Sequence, residues 1–135
     1  MPQFSRFFAG PVLLLAAVTA QAAPSPARVV LVEICVAEQE PERIEAELTS
    51  PLEKLLAKLP GVATFKSVTG HGAAQFDIHF KGGATEDDLA SVVQELERSD
   101  AYRASQVLSR SARLGSPRPD ELLFVSSLGC LSKNR

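Results

Sequence analysis

Asp77 and His79 stand two residues apart, so on a β-strand they share one face and could offer a divalent metal two ligands. Two ligands do not complete a zinc site. His71, the other histidine, lies between Gly70 and Gly72, where a solvated turn residue is the ordinary outcome. Cys35 and Cys130 are an even pair, which in an exported protein suggests a disulfide; the alternative makes Cys35 a small buried hydrophobe. Glu38, Glu40, Glu42, Glu45 and Glu47 form an acidic cluster, and Arg98, Arg103, Arg110, Arg113 and Arg118 make a later segment basic. These charges fit a solvated face that complements helix dipoles, or a polarised surface that orients a partner. The sequence offers no Ser/His/Asp or Cys/His arrangement, no glycine-rich phosphate loop and no carboxylate pair in a definable cleft. The expectation is therefore a protein that is not an enzyme, with no catalytic, cofactor-binding or metal-ligating residue and no cofactor.

The elements that must position these residues begin after a leader-like stretch. Residues 1–22 read as a signal peptide: Arg6 gives a positive start, 7–20 are apolar, and Ala20-Gln21-Ala22 is a small-x-small cleavage site. The competing assignment is an inner-membrane anchor through residues 7–22. Pro11, Thr19 and Gln21 interrupt that run, and a spanning helix needs about 20 predominantly apolar residues. The expected location is periplasmic, with a soluble mature chain that touches membrane only through an uncleaved signal segment. Residues 23–28 form a linker, 29–128 one α+β domain and 129–135 a C-terminal tail. The 135 residues carry 14 basic and 16 acidic side chains, no Trp and one Tyr. Without a basic stripe interleaved with aromatics, nothing points to nucleic acid.

Residues 29–36 (VVLVEICV) are β-branched and nearly all apolar, the pattern of a strand covered on both faces or central in a sheet. A helix follows over 41–59, with Pro41 in its first turn and Ile44, Leu48, Leu52, Leu55 and Leu59 as its apolar stripe. Pro51 inside it predicts a kink, and Leu59-Pro60-Gly61 a stop. Strands over 62–68 and 74–81 form a hairpin around Gly70-His71-Gly72, a turn longer than two residues, with Phe76, Ile78 and Phe80 inward and Gln75, Asp77, His79 and Lys81 outward. Thr85 caps a second helix whose buried stripe is Leu89, Val92, Val93 and Leu96. Residues 100–114 suit a third helix better than an edge strand, because Gly115 and Pro117 end it and no β-branched cluster supports a strand. That leaves 122–125 (LLFV) as the fourth strand. The expected fold is α+β, a ferredoxin-like βαββαβ sandwich with a four-stranded antiparallel sheet and two helices on one face. Its core is Val30, Val32, Ile34, Leu48, Leu52, Leu55, Val62, Phe76, Ile78, Phe80, Leu89, Val92 and Leu96. If 122–125 lies antiparallel to 29–36, Cys130 falls near the start of that strand and Cys35 near its end, roughly 20 Å apart at strand rise. A Cys35–Cys130 bond would instead imply a fourth strand over 106–112, with 121–128 folded back beside it.

Thr49-Ser50-Pro51-Leu52-Glu53, Leu59-Pro60-Gly61-Val62, the glycine-bearing hairpin and Gly82-Gly83-Ala84-Thr85 occur in fixed order over residues 29–98. This stretch resembles the periplasmic porter subdomain of resistance–nodulation–division (RND) efflux transporters. The chain departs from that family in having Ala37-Glu38-Gln39-Glu40 where a Pro-Gly turn is usual, and in lacking the family's membrane helices and their proton-relay residues within this sequence. The resemblance thus implies neither transport nor proton coupling, and it carries over no site residue. It implies an exported, non-catalytic protein-binding or structural module accessory to an efflux system, with an envelope protein such as an RND pump component or adaptor as partner. The alternatives are a small ligand- or metal-handling periplasmic protein, or a detached transporter fragment without a selected role.

Overall fold

The structure, a computed structural model, describes residues 27–119 and Cys130. The signal segment 1–22 and the strand expected over 122–125 lie outside the described residues, as does most of the expected tail. Four strands, β1 (Val29–Val36), β2 (Val62–Gly70), β3 (Ala73–Phe80) and β4 (Val107–Gly115), form one antiparallel sheet in the order β2-β3-β1-β4. A helical stretch over 41–56, α1, connects β1 to β2, and α2 (Glu86–Arg98) connects β3 towards β4. Both pack on one face of the sheet, where Ile44, Leu48, Leu52 and Leu56 of α1 and Val92 and Leu96 of α2 meet Val30, Val32, Ile34, Phe76 and Ile78. This is the ferredoxin-like α+β arrangement. Central position explains the sequence of β1: with strands on both edges and cover on both faces, only Glu33 is not buried.

The tail of the domain differs from the sequence expectation. Of residues 100–114 only Asp100–Ala104 is helical (α3), and Val107–Gly115 form β4, the strand that takes the fourth place in the sheet. Ser99 and Ser105 explain the break. Ser99 adopts extended backbone, and its Oγ accepts a hydrogen bond from Tyr102 N at 3.3 Å, which starts a new short helix. Ser105 is again extended and ends it. Beyond that point the open edge of β1 offers a row of backbone groups, and pairing with it outweighs a weak helical preference.

Within α1 the expected kink takes the form of a π-helical turn over Glu45–Thr49, placed between Pro41–Ile44 and Ser50–Leu56. Pro51 has no N–H, and in a regular helix its ring would press on the carbonyl four residues back. The wider turn, with Ser50 N–H bonded to Glu45 O, relieves that clash. It also offsets the drift that a strict four-residue repeat undergoes at 3.6 residues per turn. Ile44, Leu48, Leu52 and Leu56 therefore stay on one face, and Leu56 rather than Leu55 is fully buried. Leu55, Val62 and Leu89 are only partly buried; the other expected core residues are buried.

The hairpin is tighter than expected. Gly70 pairs with Ala73, leaving the two-residue turn His71-Gly72, in which Gly72 takes φ 74°. A Cβ there would come within 2.8 Å of Gln39 Nε2, the mobile end of an exposed side chain, so it is the backbone conformation that calls for glycine.

At the start of α2, Thr85 Oγ1 accepts from Asp88 N at 3.3 Å and Asp88 Oδ2 accepts from Thr85 N at 2.9 Å. This reciprocal cap satisfies two donors that the helix cannot pair internally. Thr85→Ala should destabilise the fold by about 1 kcal/mol, with Thr85→Ser close to wild type. Urea unfolding of the two variants measures this, and equal loss in both would show that the hydroxyl is not the source.

Candidate functional site

The polar residues expected to face solvent on β3 are not exposed. Gln75 and Asp77 are each 1% exposed, and Val29, Leu31 and Cys35 on the same side of β1 are buried too. Arg118 and Cys130 both lie on this second face, opposite the helices. Asp77 is bound by Arg118 through Nε (2.9 Å) and Nη2 (2.5 Å) to Oδ1, and by Arg118 N (3.2 Å) to Oδ2. Arg118 Nη2 also donates to Phe76 O at 3.4 Å. A buried carboxylate is tolerated only when paired in this way. The Asp77–His79 combination that could hold a metal is thus engaged by a cation, while His79 is half-buried opposite Thr64.

Further along the same face Cys35 and Cys130 are joined in a disulfide with their Cα atoms 5.6 Å apart. The expected separation fails because β4 is a different segment. β4 ends beside Val29, at the start of β1, so Cys130 comes from chain beyond the sheet and reaches Cys35 from the face rather than from the neighbouring strand. Beside the disulfide, Glu33 and Gln75 are direct cross-strand partners, and Gln75 Nε2 donates to Glu33 Oε2 at 3.2 Å. Gln75 Oε1 accepts no hydrogen bond among the described residues. Glu33 Oε1 lies 3.6 Å from Cys130 Sγ, a contact without a proton because a disulfide sulfur has none to donate.

No protein-family model and no curated protein matches this chain. Functional assignment therefore rests on the residues themselves.

The acidic and basic clusters are largely satisfied within the chain. Arg43 bridges Glu38 (3.3 Å) and Glu47 (3.9 Å) across a cleft of about 550 Å³ between the 37–40 loop and residues 104–106. Arg98 pairs with Glu95, and Arg103 with Asp100. Arg110 reaches Glu97 at 3.2 Å and lies 5.9 Å from the Tyr102 ring centroid, tying β4 to the helices. Arg113 is exposed on β4. His71 sits exposed in the hairpin turn, its Nδ1 3.1 Å from Gln39 O. These positions favour solvated, internally paired charge over a single polarised surface.

A second polar network escapes sequence reasoning because its members are far apart. Thr49 is fully buried, its Oγ1 2.8 Å from Thr69 Oγ1, and Thr69 Oγ1 donates to Glu45. Each hydroxyl has one proton, so Thr49 must donate to Thr69. Ser67 Oγ likewise donates to Glu53. Together these bonds fasten α1 to β2, an edge strand that would otherwise hold only one neighbour.

The Glu38 carboxyl is held below the usual 4.5, first by the backbone N–H of Glu40, which outweighs an opposing effect of desolvation, with Gln39 N–H and Arg43 adding smaller lowering effects. Because the folded-state value is depressed, the loop gains stability that is complete above the unfolded value and lost as pH falls through the folded one. An NMR carboxyl titration should place Glu38 below the usual glutamate value of 4.5, and Glu38→Gln should remove that part of the acid dependence. Titration at or above 4.5 would contradict the contacts described.

Proposed function

We propose that this chain is an exported, non-catalytic module that binds or caps an envelope protein, an RND pump component or its adaptor being the partner its sequence suggests. The observation that carries the reading is the position of the residues on which the resemblance rests. Thr49 is buried and bonded to β2, and Pro51 follows a π-helical turn. Gly61 takes φ 85° where the chain leaves α1 for β2, and Thr85 caps α2. Each therefore has a structural part to play in a ferredoxin-like unit, as a porter subdomain would require.

Export is supported by the disulfide, which persists in oxidising compartments, and by the signal-like residues 1–22. Among the described residues no helix is long and apolar enough to cross a membrane. On the second face Asp77 is paired with Arg118 and Cys35 is bonded to Cys130, contacts that suit a binding role better than a reactive one. An isolated unit of this shape could compete for contacts that neighbouring subdomains of a pump make with one another.

Crosslinking of a tagged chain in the native envelope tests the proposal, with a pump subunit or adaptor as the expected product. Recovery of stoichiometric metal or a small molecule on the oxidised protein, with no envelope protein enriched, would favour the ligand-handling alternative.

A further inference from the structure

We propose that the dithiol form of this chain holds one Zn²⁺ between Cys35 Sγ, Cys130 Sγ and a carboxylate oxygen of Glu33. The second face would then exchange a covalent clamp for a metal clamp according to its thiol state. Ligand atoms of the three residues lie within 4.8 Å of one another. Zinc accepts thiolate sulfur at about 2.3 Å and carboxylate oxygen at about 2.0–2.2 Å in a tetrahedral site, so small movements after the S–S bond opens suffice. Two thiolates favour a thiophilic ion over magnesium or calcium, which take oxygen ligands.

Gln75 supplies the second, independent observation. It is 1% exposed, and its Nε2 holds Glu33 Oε2, which leaves Oε1 as the oxygen beside Cys130. That is the orientation in which an outer residue aims a ligand. Its own Oε1 is buried without a hydrogen-bond donor among the described residues. Buried acceptors are rarely left so, and this one remains open to a donor that a metal-bound water beside Glu33 would supply.

The chemistry balances with a cellular dithiol as reductant. Its two thiols give two electrons and two protons to the Cys35–Cys130 bond and become a disulfide, leaving two protein thiols. Zn²⁺ then displaces both thiol protons to solvent as two Zn–S bonds form. Reoxidation by a disulfide reverses both steps and releases the ion. In the disulfide form both cysteines are 5% exposed. The inference does not depend on the porter reading, since it concerns the reduced protein and needs no partner.

Purified protein, oxidised or reduced with a phosphine and freed of it, is titrated with Zn²⁺ against a chromophoric chelator. Reduced protein should bind one ion per chain and oxidised protein none, and Co²⁺ in place of zinc should give a thiolate-to-cobalt charge-transfer band. Cys35→Ser with Cys130→Ser should abolish binding, and Gln75→Leu should weaken it about 10–100-fold, with Glu33→Gln at least as damaging. Should reduction unfold the protein, the readout becomes recovery of its folded circular dichroism on adding Zn²⁺. Absence of one-to-one binding by folded reduced protein, failure of zinc to restore an unfolded one, or an affinity unchanged by Glu33→Gln would each overturn the site.

Discussion

Arg118→Ala should destabilise the protein by about 3–5 kcal/mol, a large share of the roughly 5–15 kcal/mol that holds a domain folded. The size follows from what remains rather than from what is removed. Asp77 is 1% exposed and its carboxylate takes three hydrogen bonds from Arg118, two from the guanidinium and one from the backbone. Truncation leaves that carboxylate buried and takes away its two guanidinium donors. If the penalty is the stranded charge, removing both charges should be far milder. Asp77→Leu combined with Arg118→Met should recover most of the loss, because buried ion pairs exchanged for apolar residues of similar size are often near neutral. Urea unfolding at neutral pH measures all three proteins. A loss under 1 kcal/mol for Arg118→Ala would mean that water reaches Asp77 and the second face is not closed as described.

The sequence carried no local sign of this pair. Asp77 is separated from Arg118 by α2, α3 and β4, and alternation along β3 correctly divides its residues between two faces without saying which faces are covered. Inward Phe76, Ile78 and Phe80 were legible because apolar residues at period two need a core. Outward Gln75 and Asp77 read as solvent-facing by type, and are buried because their polar groups find Glu33 and Arg118. Thr85 and Gly61 were legible for a different reason: caps and stops are short-range, and the residues that make them are few.

β4 was hidden by its bulge. Val36 pairs with Val107 and Cys35 with Ser109, so Leu108 is the extra residue, and it is half exposed at 50%. Ala112 and Leu114 face the core on one parity and Val107 on the other. The shift breaks the period-two signal, and what remains (Ala101, Ala104, Leu108 and Ala112 at spacings of three and four) imitates a helix. The expected separation of the cysteines was conditional on a fourth strand at 122–125, so it goes with that assignment. A fourth strand near 106–112 is the part of the alternative implied by a Cys35–Cys130 bond that β4 at 107–115 bears out; residues 121–128 lie outside the described residues.

That bond carries the other large expected effect. Cys35 and Cys130 are 95 residues apart, and a cross-link of that span removes about 4.7 kcal/mol of chain entropy from the unfolded state; removals from small domains typically cost about 2–5 kcal/mol. Cys35→Ala with Cys130→Ala should fall in that range, measured without metal. Wild-type protein reduced in metal-free buffer should lose about as much, since the cross-link rather than the sulfur atoms accounts for the effect. Arg118 and Cys130 hold one face of one sheet, at Asp77 and at Cys35, so the two contacts should not be independent. Once the disulfide is gone, Arg118 must be ordered by its own bonds alone and contributes less. The combined variant, Arg118→Ala on the cysteine-free background, should therefore lose less than the two losses added together, by about 0.5–3 kcal/mol. Strict additivity in that cycle would show that the ion pair closes its end of the face whether or not Cys130 is tethered. The cover over β1 and β3 would then be two separate attachments rather than one.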